Sequence, residues 1–190
     1  MSHRLPRLSW LLAGMLLTLF STAADCPPGN VITKMTSSMQ AFKDALPLDY
    51  ASLKTGGAQL SKNGKELHVC LANEVFPIAA MANSFVLPLT QKGQFILQLN
   101  FSNGADAVKP GPYNPDAGYG KPFWVSAEVK VMVGTKGTIA MLGARTGTAE
   151  IIKMSETMVC GRFHLQAKAG EIVNSEVAGE FNVKLEKARY

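Results

Sequence analysis

From residue 65 onward, polar and apolar residues alternate along most of the chain. Phe95, Leu97, Leu99 and Phe101 alternate with Gln94, Ile96, Gln98 and Asn100. Phe123, Val125, Ala127, Val129, Val131 and Val133 alternate with Trp124, Ser126, Glu128, Lys130 and Met132. Phe181, Val183 and Leu185 alternate with Glu180, Asn182, Lys184 and Glu186. A period of two with one polar face predicts antiparallel sheet, because parallel strands are apolar on both faces. Turn-forming groups at Gly134–Gly137, Arg145–Gly147, Lys153–Glu156 and Ala169–Gly170 divide the stretch into short hairpin-joined segments. The pattern predicts strands near 65–72, 84–89, 93–102, 122–134, 138–143, 148–153, 157–167 and 171–186, the last broken near Asn174 and Ser175. About eight strands at this spacing predict a mainly β fold, an antiparallel β-sandwich, with a closed up-and-down barrel as the alternative.

Two segments depart from that pattern. Between Val31 and Leu46 the apolar positions are 31, 32, 35, 39, 42 and 46, spacings that predict a short N-terminal helix capped by Asn30 and ended by Pro47. Residues 50–64, with Gly56-Gly57 and Asn63-Gly64, read as turns. Residues 103–121 carry no periodicity and are too long for a hairpin connection. Long loops on rigid scaffolds commonly carry recognition, and tyrosine supplies contact area at low entropic cost. Tyr113, Asn114, Asp116 and Tyr119 are therefore the candidate ligand- or partner-binding residues.

The start of the chain adds a location. Arg4 and Arg7 precede an apolar run from Leu8 to Phe20, and Ser21-Thr22-Ala23-Ala24 offers small residues for cleavage. This is the pattern of a secretory signal peptide, and the run is too short to span a bilayer. The expected organisation is a signal peptide at 1–24, a helical arm and turn-rich connection at 25–64, and an antiparallel β domain at 65–190. The expected location is periplasmic or secreted, with no transmembrane anchor after cleavage. Removing 1–24 takes two arginines and no acid, so the formal charge falls from +5 to +3. No cluster of Lys and Arg remains to track a phosphate backbone, which argues against a nucleic-acid partner. A chain that is 47% hydrophobic and 17% charged is neither coiled coil nor disordered.

Three cysteines in an oxidising compartment imply one disulfide and one odd thiol. Cys70 and Cys160 both fall mid-strand on polar faces, each two to four residues from a histidine (His68 and His164), and are the expected pair. The alternative is a copper or zinc site built from His68, Cys70, Cys160 and His164, which needs the two strands to be neighbours. Asp106 and Asp116 lack the spacing of a calcium loop. No Gly-x-Ser-x-Gly elbow, His-Glu-x-x-His pair or phosphate-binding loop occurs, so catalysis has little support and no cofactor is implied. The expectation is an exported non-enzymatic binding protein of the envelope or extracellular space, its partner an unidentified protein or small molecule. The alternatives are a β-barrel carrier of a small apolar ligand, and a periplasmic metal-binding protein or hydrolase.

Overall fold

A computed structural model of the chain describes residues 25–45, 51–82, 88–133, 136–142, 144–167 and 174–188. The signal-peptide assignment at 1–24 lies outside the described residues, as does most of the strand expected at 84–89. The strands are β1 (Val31–Ser37), β2 (Thr55–Leu60), β3 (Glu66–Ala72), β4 (Phe95–Ser102), β5 (Gly111–Tyr113), β6 (Trp124–Val133), β7 (Lys136–Leu142), β8 (Ala144–Met154), β9 (Met158–Ala167) and β10 (Ser175–Lys187). Two short helices, α1 (Gln40–Ala45) and α2 (Ile78–Ala82), and a 3-10 turn at Pro115–Ala117 complete the described elements.

The fold is mainly β, and its sheet curls into a half-barrel with the order β5-β8-β9-β10-β2-β3-β4-β6-β7. β10 organises it. One edge of β10 pairs antiparallel with β9, while the other is shared. β1 takes its first half antiparallel and β2 takes residues 184–187 in parallel. That parallel pair makes the sheet mixed, which corrects the expectation of a purely antiparallel sandwich or up-and-down barrel. Beyond β5, Asn114 bridges to Trp124 on β6, and its N–H donates to the Phe123 carbonyl at 2.7 Å. The β5 end of the sheet thus touches its penultimate strand, β6, at one point.

Alternation assigns the two faces. Leu67, Val69, Leu97, Leu99, Val129 and Val131 point inward, joined by Phe163, Phe181 and Val183 from β9 and β10, in one continuous apolar core. Phe42 and Ala45 of α1 belong to the same cluster. On the outer face, α2 lies over β2, β3 and β4. Met81 and Ala82 there pack with Cys70, Ala72, Ile96 and Met132 in a second, smaller cluster.

The helix expected across 31–46 is replaced by β1 followed by the six-residue α1. The register of β1 shifts between Ile32 and Lys34, a β-bulge that adds one residue. Ile32 and Met35 both point inward because of that extra residue, so their spacing of three imitates a helical face. Val31, Ile32, Thr33 and Thr36 are β-branched and favour the extended backbone. β2 was hidden in the turn-rich reading of 50–64 because its glycines signal turns. In the sheet they make space: a Cβ on Gly57 would collide with the Ile78 side chain of α2, and one on Gly56 with Asn30 and Val183. Residues 31–60 therefore supply two strands to the sheet where an arm was expected.

Candidate functional site

The disulfide joins Cys26 to Cys160, with Cα atoms 5.6 Å apart, and Cys70 is a buried free thiol. The expected Cys70–Cys160 pair is corrected by topology. β3, which carries Cys70, is separated from β9 by β2 and β10. The same separation keeps His68 and Cys70 apart from Cys160 and His164, so the alternative metal set does not assemble. No group of three or more His, Cys, Asp or Glu able to hold a metal occurs among the described residues. Burial pushes the Cys70 thiol up to about 12, against the pull of nearby Lys130, so it is a neutral packing residue.

Residues 103–121 form a tied structure. Tyr113 is fully buried, its ring edge-on to Phe101 at 5.2 Å and to Phe123 at 5.4 Å. Its hydroxyl accepts from the Lys109 N–H and donates to the Lys109 carbonyl. Burial raises its pKa. Tyr113 is thus a core residue and can touch no external partner, which removes it from the candidate surface. Asn103, also buried, donates to the Ala107 carbonyl and accepts from the Phe123 N–H. Asn114 is exposed but its backbone makes the bridge to β6, and Asp116 stands exposed on the 3-10 turn. Tyr119 is 76% exposed and meets the Trp124 ring edge-on at 5.2 Å.

Trp124 opens a polar strip on the outer face of β2, β3, β4 and β6. The sheet register aligns Trp124 with Ser102 and Glu66, and then Ser126 with Asn100, His68 and Gln59. Glu128, Gln98 and Cys70 form the next row, and Lys130 with Ile96 lies beneath α2. Such rows are about 7 Å apart along a strand.

Hydrogen bonds run through these rows in one direction. Lys130 Nζ donates to the Met81 carbonyl and to Gln98 Oε1, both at 2.6 Å. With its oxygen held there, Gln98 turns its amide nitrogen to Asn100 Oδ1 at 2.6 Å. His68 Nδ1 lies 2.8 Å from the same oxygen and 3.3 Å from the Gln98 amide nitrogen, its role in each contact set by the ring's tautomer. Asn100 Nδ2 then donates to Ser126 Oγ at 3.3 Å and to Glu128 Oε1 at 3.2 Å. Burial pulls the Lys130 amine below its ordinary pKa, opposed by the charges around it. Glu128 Oε2 is buried and has no hydrogen-bond partner among the described residues. The buried end of the strip therefore fixes which way each side-chain amide points at the open end.

A second polar surface lies on β8, β9 and β10. Arg162 holds Glu150 Oε2 through both Nε and Nη2 at 2.8 Å. Glu176 joins His164 at 2.7 Å and Lys34 at 2.6 Å, and these partners hold its carboxyl down at about 2. A cleft of about 390 Å³ beside them is lined by Pro112, Thr148, Glu150, Arg162 and His164. Its charges already satisfy one another.

No protein-family model matches the chain, and neither a curated protein nor a solved structure matches it.

Proposed function

We propose that this is an exported, non-enzymatic binding protein whose recognition surface is the outer strip between α2 and the Tyr119–Trp124 pair. The observation that carries this reading is the exposed Tyr119 ring, braced on Trp124 at the head of an oriented amide row. Exposed aromatics beside preset polar groups are a common composition for ligand recognition. A disulfide, and no described helix long and apolar enough to cross a membrane, are compatible with a periplasmic or extracellular location. In the strip's hydrogen-bond network Ser126 connects to His68 through Asn100, without a direct nucleophile–base pair, which favours binding over hydrolysis.

The test is an amide NMR spectrum of the labelled protein, recorded with and without the soluble extract of the exported compartment. The reading expects shifts clustered at 66–70, 98–102 and 119–128. Shifts confined to inward positions of the curled sheet, such as Leu97 or Val129, would favour the apolar carrier instead. Shifts centred on Arg162 and His164 would move the site to the cleft on β8 and β9.

A further inference from the structure

We infer that the ligand is a neutral saccharide, with Tyr119 as the stacking platform and the Ser126–Asn100–His68 row as the reader of its hydroxyls. This rests on the binding-surface reading above and names the chemistry of its ligand. A sugar ring has apolar C–H faces and an equator of hydroxyls, each both donor and acceptor. It is therefore recognised by an aromatic face together with planar polar groups of fixed orientation.

The strip supplies both. Tyr119 projects its ring into solvent, and the edge-on contact with Trp124 holds it in place. One row away, Ser126, Asn100 and His68 stand in register across three strands. Their hydrogen-bond directions are set from Lys130 through Gln98. The row offers the Ser126 hydroxyl and the His68 ring to a ligand, and Gln59 lies next to His68 in the register. Preset amides cost little reorganisation on binding and discriminate strongly against groups that cannot pair with them.

Charge selects further. The outward carboxylates in these rows are Glu66 and Glu128, while Lys130 is buried and committed to Met81 and Gln98. Within these rows an anionic ligand would meet carboxylates, whereas a neutral polyol meets polar groups that its hydroxyls can pair with; Lys109 and Lys121 stand outside the rows, on the loop. The area spanned by two rows and three strands is comparable with one or two sugar rings.

The experiment uses Trp124 as the reporter. The sequence has two tryptophans, Trp10 and Trp124, so Trp10→Phe leaves Trp124 as the sole one. This protein is titrated with neutral chito-, cello- and malto-oligosaccharides, and with an acidic polysaccharide as control. The expected result is a saturable change in Trp124 emission with at least one neutral series and none with the acidic polymer. Tyr119→Ala and Asn100→Leu should each weaken that binding at least tenfold, and Tyr119→Ala should leave the melting temperature unchanged. Absence of saturable binding to all three neutral series, or binding that survives Tyr119→Ala undiminished, overturns the saccharide assignment. The broader reading then stands if the extract still shifts amides of the strip, and falls with it if those shifts lie elsewhere.

Discussion

Cys26 and Cys160 are bonded across 134 residues of sequence, and Asn182 sits against the joint. In the β9–β10 register Asn182 is opposite Cys160. Its N–H donates to Asn30 Oδ1 at 2.8 Å and its side-chain amide to the Pro27 carbonyl at 2.9 Å. The disulfide and these two bonds fasten the segment leading into β1 onto the centre of the sheet.

Peptide mapping without reductant should therefore yield a Cys26–Cys160 peptide pair. Cys70, buried and with its thiol pushed up to about 12, should resist alkylation until the protein is unfolded. Replacing Cys26 and Cys160 by serine should cost about 2–5 kcal/mol of stability, since the bond closes a very long loop. Rapid labelling of Cys70 in the native protein would contradict its place under α2.

Two tyrosines of the same loop should behave oppositely. Tyr113→Ala removes a fully buried ring and the hydroxyl that ties Lys109, and should cost about 3–5 kcal/mol in a denaturant titration. Tyr119→Ala removes an exposed ring and should change stability by less than about 0.5 kcal/mol. Equal effects would mean that the loop is not anchored through Tyr113.

Lys130→Met should destabilise by about 2–4 kcal/mol, because it leaves the Met81 carbonyl and Gln98 Oε1 buried without this donor. With its oxygen released, Gln98 is free to turn over, and the Asn100 amide should lose its fixed direction. Side-chain amide NMR signals of Gln98 and Asn100 would report this as a joint shift.

Glu176 gives a pH dependence with a defined sign. Its carboxyl sits near 2 in the folded protein, against an ordinary value of 4.5, chiefly through its hydrogen bond with Lys34 and then through His164. The unfolded chain binds the proton first as pH falls. The stabilisation is thus fully present above pH 4.5 and is lost progressively between 4.5 and 2. Both partners are at least half exposed, so Glu176→Gln should cost only about 1 kcal/mol or less at neutral pH. The variant's stability curve should also be flatter between pH 4.5 and 2 than that of the wild type.

What the sequence makes legible is set by how local the cause is. The strands at 65–72, 93–102 and 122–134 appear within a few residues of β3, β4 and β6, because clean alternation with one apolar face is a local signal. β1 is lost because its bulge is imposed by pairing with β10, some 140 residues away. β2 is lost because Gly57 serves a contact with Ile78 that no local pattern encodes. The disulfide depends on strand order, and facing alone favoured the wrong cysteine. At the site, Tyr119 and the polar faces of His68, Asn100 and Ser126 were visible along the chain. Their union in one strip required the β3–β4–β6 register. The role of Lys130 was masked by ordinary alternation, since an outward lysine on a strand normally lies in water and here α2 covers it.

The most direct test compares two variants against the wild type for binding of the same ligand drawn from the exported compartment. One carries Tyr119→Ala with Ser126→Ala on the strip, and the other Arg162→Ala with Thr148→Ala in the cleft on β8 and β9. The account predicts at least a tenfold loss for the strip variant, about 1.4 kcal/mol, with the cleft variant unchanged and both variants folded. Full binding by the strip variant, with the loss appearing in the cleft variant, would contradict it.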